Sequence, residues 1–212
     1  VNALHRVKLL RWLPCACLLA LPAAGCAPAP PARPSVVLIL VDQLRKDAAE
    51  RWMPATYALA ERGIRCEEMR SVAPWTYPSV ISLFSGLYPQ QHGADANQAG
   101  DRLTSINPVV PLLPRTLAAA GYHTAGFVTN PFLHEWNRPV REGFAHFDAS
   151  FIGDQGATRG HGGLVWTKDM YSDSVNPRVR AFFDARPLSG PEFTYVHYID
   201  VHGRREGPDQ WK

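Results

Sequence analysis

Cysteine is scarce in this 212-residue sequence. Of the four present, Cys15 and Cys17 lie in an apolar N-terminal stretch, Cys26 follows it, and Cys66 stands alone in the rest. That excludes a disulfide framework and a Cys-x-x-Cys metal site. Cys66 itself is expected to be a small buried apolar residue. Charge bias is missing too. Arg6, Lys8 and Arg11, with no acidic residue among residues 1–25, account for the formal net charge of +3, and the remainder is balanced. A basic nucleic-acid-binding surface is therefore excluded as the organising feature. No internal repeat is visible, and beyond residue 25 no apolar run approaches the about 20 residues that span a bilayer.

What is present is an ordinary globular composition, 46% hydrophobic and 19% charged, with length for one sizeable domain. Residues 1–25 read as an export signal, in which a basic start precedes the apolar stretch Trp12 to Ala24. The ending Ala23-Ala24-Gly25-Cys26 resembles a bacterial lipobox, which would make Cys26 the lipidated N-terminus and tie the protein to a membrane of the cell envelope. A plain signal peptide cut near Ala24 or Ala27, with a periplasmic or secreted product, is the alternative. Residues 26–35 are Ala/Pro-rich and read as an extended tether. The folded domain is expected over 36–212.

Within that domain, Val36-Val37-Leu38-Ile39-Leu40-Val41 is continuously apolar and β-branched, which predicts a strand buried on both faces. Asp42 ends it, either as a ligand-binding group past a strand's C-terminal end or as the N-cap of the next helix. A helix is predicted from Met53 to Glu61 with Gly63 closing it, then a short strand over Arg65–Met69. Further on come a helix over Leu113–Ala120, a buried strand over Thr124–Val128 ending at Thr129-Asn130, a helix over Arg178–Ala185, and a strand over Phe193–Ile199 followed by Asp200-Val201-His202-Gly203. The glycines between Gly153 and Gly163 suggest long surface loops. Strands separated by helices predict an α/β sandwich with a largely parallel sheet. All three strands end in polar residues suited to a site: Asp42, Asn130 and Asp200/His202.

The stretch Pro74 to Gly93, PWTYPSVISLFSGLYPQQHG, places a hydroxyl, Thr76, at the start of a predicted helix. Pro78 suits its first turn, Val80, Ile81, Leu83 and Phe84 supply a buried face, and Gly86 ends it. A helix N-terminus favours an anion, and a hydroxyl there is placed to attack an electrophile. Thr76 can equally be a helix N-cap. His92 beside Gly93 is expected to be structural, and the histidines other than His92 and His202 are assigned to core or surface.

These residues resemble the N-terminal half of a sulfatase, within the alkaline-phosphatase superfamily. VVLILVDQLRKD is similar to the family's opening strand, whose Asp binds the metal. WTYPSVISLFSGLYPQQHG is similar to its nucleophile motif, LPRTLAAAGYHTAGFVTN to the next helix and strand, and FAHFD and YVHYIDVHG to later signposts. The resemblance implies an alkaline-phosphatase-like three-layer sandwich, of which only the N-terminal part is present. Departures are several. Thr76 stands where Cys or Ser is converted to formylglycine, Val80 where an Arg is expected, Gln43 where a second metal-binding Asp is expected, and Val201 within the Asp-Pro-His element.

The resemblance implies a metal-dependent hydrolase acting on a small anionic sulfate or phosphate ester. Thr76 and His202 are the catalytic candidates, Asn97 and Asn130 hold substrate oxygens, and Asp42 and Thr76 bind a divalent ion, Ca²⁺ or Zn²⁺. Two alternatives stand beside it. One is a phosphodiesterase or phosphoethanolamine-transferase-like enzyme with a Thr nucleophile. The other is a non-catalytic, degenerate member that binds an anion. The further Asp-His-Gly or Asp-Asn-Gly element that the family implies does not follow Gly203. The 212-residue chain is accordingly predicted to be a fragment, inactive alone.

Overall fold

A computed structural model describes residues 33–95, 103–134, 138–152, 168–185 and 189–202. Four strands form one sheet: β1 (Val36–Val41), β2 (His123–Val128), β3 (His146–Asp148) and β4 (Glu192–Tyr198), in the order β1-β4-β2-β3 with every pairing parallel. Parallel neighbours need long crossovers, and helices fill them. Seven are described, α1 (Lys46–Trp52), α2 (Pro54–Ala60), α3 (Thr76–Ser85), α4 (Pro89–His92), α5 (Leu113–Ala119), α6 (Arg138–Arg141) and α7 (Ser172–Asp184).

Side chains alternate along a strand, so each sheet face builds its own core. On one face, Leu38 and Leu40 of β1, Val128 of β2 and Phe193 and Tyr195 of β4 pack with Tyr77, Val80, Ile81 and Phe84 of α3. On the other, Ala125 and Phe127 of β2 and Val196 of β4 pack with Phe151, Met170 and Val175, joined by Val179 and Phe182 of α7. The result is the expected α/β arrangement of helices on both sides of a parallel sheet.

Several local expectations change. β1 is half-buried on one face and open on the other. Val37 and Ile39 are each 60% exposed, because β1 is the edge of the described sheet and the α7-side core reaches only β2 and β4. The single helix over 53–61 is two, α1 and α2, divided at Met53 by Pro54 at the start of α2. Neither buries a residue. No strand forms over 65–69, where Arg65 and Glu67 instead join Lys46 and Glu50 in an exposed ion-pair group. Cys66 is exposed. Leu83 lies on the outer side of α3 and is 44% exposed, while Val80, Ile81 and Phe84 are buried. α7 begins six residues ahead of its predicted start, with Pro177 inside it. A Pro in a helix removes one backbone donor, and here the apolar face of Val175, Val179 and Phe182 outweighs that loss.

Gly86 ends α3 in the left-handed region, φ 71°, as its position implied. Gly126 in β2 lies so close under Phe147 that a Cβ would sit 3.0 Å from the ring. The glycine-rich stretch over 153–163 lies outside the described residues.

Candidate active site

β1, β2 and β4 all run the same way, so their C-terminal ends share one sheet rim, and α3 begins above it. Asp42 follows β1 directly, and its backbone N–H donates to the Tyr198 carbonyl at 2.8 Å, extending the ladder by one residue. Asn130 follows β2 by two residues. Its Oδ1 accepts the Phe132 N–H at 2.9 Å, capping the 3-10 turn Pro131–Leu133. His197 is on β4, in register with Leu40 and Val128. Thr129 Oγ1 donates to the His197 carbonyl at 2.7 Å, fastening the ends of β2 and β4 together.

Thr76 is delivered from the other side. The loop before α3 is pinned by Ser71 and Ser79, whose hydroxyls both donate to the Ala73 carbonyl, at 2.8 and 2.9 Å. Trp75 packs edge-on against Phe132, ring centroids 5.4 Å apart, so the helix start and the turn after Asn130 hold each other. Thr76 is the first residue within α3, not its N-cap. The cap position is Trp75, and no side chain caps the helix there. The Thr76 hydroxyl is directed elsewhere.

It donates to Asp42 Oδ2 at 2.7 Å. Asn130 Nδ2 donates to the same carboxylate oxygen at 2.8 Å and to Thr76 Oγ1 at 3.1 Å. His197 Nε2 stands 3.3 Å from that oxygen. Burial by itself pushes the Asp42 carboxyl up. The hydrogen bonds from His197 and Thr76, with the His197 and His202 rings nearby, outweigh it and hold Asp42 below the ordinary carboxylate value. Asp42 is thus an anion at neutral pH, hydrogen-bonded to the hydroxyl of Thr76. Burial lowers the His197 ring pKa, so that ring is neutral.

His202 completes the rim. The Gln43 side-chain amide donates to His202 Nε2 at 3.0 Å, linking the turn after β1 to the turn after β4. Gln43 has φ 58°, a left-handed conformation that non-glycine residues adopt at a cost and that clusters at functional sites.

Three of the site residues read from sequence, Asp42, Thr76 and Asn130, thus meet around one oxygen, and His202 stands beside Asp42 through Gln43. Asn97 lies outside the described residues. Asp200 has a structural role: its Oδ1 accepts the Ser172 N–H at 3.0 Å and the Ser172 hydroxyl at 2.5 Å, at the start of α7. His92 is structural as expected. It is fully buried, takes the Ala94 N–H on Nδ1 at 3.0 Å and places Nε2 2.8 Å from Ser82 Oγ. His197, assigned to core or surface, belongs to the site. The alternation of Phe193, Tyr195 and His197 puts it on the α3 face at the end of the strand, and that periodicity was the available signal.

A divalent cation fits this donor set in kind but not in number. Asp42 and Thr76 offer oxygen ligands of the type that hard cations take. Asn130 and His197 direct nitrogens at Asp42, and the Gln43 amide is engaged with His202. Among the described residues no group of three His, Cys, Asp or Glu side chains is arranged to hold a metal, and Ca²⁺ takes six to eight oxygens. The described residues make one wall of such a site. Val80, where the resemblance implies an Arg, is buried in the α3 core.

The family profile described as Sulfatase matches residues 34–212. No curated relative matches in sequence. Among solved structures, one is a protein determined with its substrate D-glucosamine-2-N,6-O-disulfate, at TM-score 0.62 and 19% identity, covering 83% of this chain and 36% of that one. A phosphonate monoester hydrolase of Agrobacterium radiobacter aligns at TM-score 0.59 and 18% identity, covering 84% and 43%. A Bacteroides thetaiotaomicron protein assigned to the sulfatases aligns at TM-score 0.53 and 17% identity, covering 80% of this chain and 36% of that one. The chain thus spans less than half the length of each. At these identities the likeness establishes the shared fold.

Proposed function

The chain belongs to the sulfatase family, and on that premise we propose that the whole protein hydrolyses a small sulfate or phosphate ester with Thr76 as nucleophile. The carrying observation is the 2.7 Å hydrogen bond from Thr76 Oγ1 to Asp42 Oδ2. Thr76 Oγ1 forms a bond to the sulfur or phosphorus while its proton passes to Asp42 Oδ2. The ester bond to the alcohol breaks with its electron pair on the departing oxygen, which takes a proton from the His202 ring. Water then attacks the sulfur or phosphorus of the Thr76 ester, gives one proton back to His202 and leaves with the released acid anion, while Thr76 Oγ1 departs and recovers its proton from Asp42. Asn130 Nδ2 holds Thr76 and Asp42 in line. A divalent ion, with Asp42 and Thr76 among its ligands, would stabilise charge on the ester oxygens. Its other ligands would come from outside the described residues.

The reading includes export with lipid attachment at Cys26, supported by the basic and apolar leader and the lipobox-like ending. A second reading, anion binding without turnover, is favoured by one observation. Among the described residues, Asp42 is the only carboxylate hydrogen-bonded to Thr76, with Gln43 at the adjacent position.

The deciding experiment assays the complete protein, with Ca²⁺, Mn²⁺ or Zn²⁺, on an aryl sulfate, a phosphomonoester and a phosphodiester. Turnover of at least one ester is expected, retained in part in Thr76→Ser and abolished in Thr76→Ala. Turnover that survives Thr76→Ala refutes the assignment. Anion binding with no turnover on any ester establishes the second reading.

A further inference from the structure

Tyr195 and His197 lie two residues apart on β4, so both side chains face α3. Both are fully buried. Tyr195 is wedged edge-on against Phe84, centroids 4.9 Å apart. Its hydroxyl is 2.7 Å from His197 Nδ1, and His197 Nε2 is 3.3 Å from Asp42 Oδ2. A line of polar groups therefore runs from inside the α3 core to the carboxylate at the rim.

We propose that Tyr195 and His197 are positioning residues that set the orientation of the Asp42 carboxylate toward Thr76. This rests on the reading of Thr76 and Asp42 as the reacting pair. A buried phenol beside a carboxylate keeps its proton; burial, then the charge of Asp42, pushes the Tyr195 ionisation well up. Tyr195 is thus the donor and Nδ1 the acceptor. A neutral imidazole with Nδ1 accepting carries its proton on Nε2, the nitrogen facing Asp42. Tyr195 holds the ring through Nδ1, and the Thr129 hydroxyl holds the His197 backbone through its carbonyl at 2.7 Å. The 3.3 Å contact is long because Thr76 and Asn130 already occupy Oδ2 at shorter range. What His197 contributes is direction. Three donors converge on one oxygen, and the carboxylate is fixed about its Cβ–Cγ bond with Oδ2 toward Thr76. Partners that orient a ligand or base through a second layer of hydrogen bonds typically matter by about 10–100-fold.

The test uses the full chain and four proteins: wild type, Tyr195→Phe, His197→Gln and His197→Ala. Three measurements are made on each: a high-resolution crystal structure, Mn²⁺ affinity by calorimetry, and kcat and KM on the ester that wild type prefers. Tyr195→Phe, which removes one hydroxyl, is expected to fold and to show the Asp42 carboxylate rotated away from Thr76. Mn²⁺ affinity and kcat should each fall about 10–100-fold, with KM changed far less. His197→Ala should match or exceed that loss, and His197→Gln, whose amide N–H can replace Nε2–H, should recover part of it. Unchanged Asp42 orientation and unchanged Mn²⁺ affinity in Tyr195→Phe, with only a lower Tm, overturn the proposal. If His197→Ala does not fold, Tyr195→Phe decides alone. If wild type neither binds Mn²⁺ nor turns over an ester, the proposed reaction fails, and the Asp42 orientation in Tyr195→Phe still decides the positioning role.

Discussion

Removing the side chain of Asn130 tests whether the rim is one coupled unit. The amide is 1% exposed and makes three hydrogen bonds: to Asp42 Oδ2, to Thr76 Oγ1, and from the Phe132 N–H. The bond to the charged Asp42 contributes about 1.5–3 kcal/mol and the cap on Phe132 about 1. Asn130→Ala should therefore cost about 3 kcal/mol, a large part of a total stability of about 5–15. For a domain of this size each kcal/mol lowers Tm by about 2–4 °C, so a drop of about 6–12 °C is expected. Asn130→Asp separates the two functions. It keeps an oxygen for the Phe132 N–H but puts a second carboxylate beside Asp42, and like charges raise the pKa of one of the pair. A carboxyl whose folded pKa is raised gives up stability as pH rises. Wild type behaves oppositely, because the depressed pKa of Asp42 means that stability is lost only as pH falls through the acid range. Thermal unfolding followed by circular dichroism between about pH 5 and 8 should show Asn130→Asp losing stability toward the alkaline end, beyond any slope of wild type. An Asn130→Ala shift within about 2 °C, or an Asn130→Asp profile parallel to wild type, refutes the coupled rim.

Two further outcomes follow from the cores. Burial lowers the His92 pKa, so the folded chain holds His92 neutral while the unfolded chain takes up a proton below the ordinary value of about 6.5. Stability should fall as pH drops below that value, and the urea midpoint of His92→Gln should show a shallower fall; an equal slope in the two proteins rules out His92 as the source. On the sheet, Phe84→Ala should cost about 3–5 kcal/mol, whereas Ile39→Lys, on the open face of β1, should change stability by about 0.5 or less. Urea unfolding of both variants checks this, and a cost of about 2 kcal/mol or more for Ile39→Lys would mean that β1 is covered on both faces.

The two central strands and the helix carrying Thr76 were legible because their signals are local. β2 and β4 are short apolar runs bounded by turn residues, and α3 carries its own apolar spacing and its own Gly86 stop. β1 misled because the same signal, unbroken Val, Leu and Ile, fits an edge as well as a centre. Which one holds depends on what lies beside the strand, and that is not encoded within it. The phantom strand over 65–69 failed for a related reason. Its residues alternate weakly, and the exposed pairing of Arg65 and Glu67 with Lys46 and Glu50 competes with any ladder. Cys66, within that exposed segment, had no core to enter.

The site was legible where a polar residue interrupts an apolar run. Asp42 and Asn130 each end a strand abruptly, and Thr76 begins a helix. Each is conspicuous against its neighbours. His197 was not, because it is the last inward residue of a strand that also carries Thr194 and Tyr195, and a buried histidine among aromatics reads as core. Its membership in the site depends on a relation between strands: β4 sits between β1 and β2 in the sheet. Strand order is therefore what turns His197 from a packing residue into a neighbour of Asp42. Had β4 paired outside β2, the same residue in the same strand would face only the α3 core, and Asp42 would meet Thr76 without it.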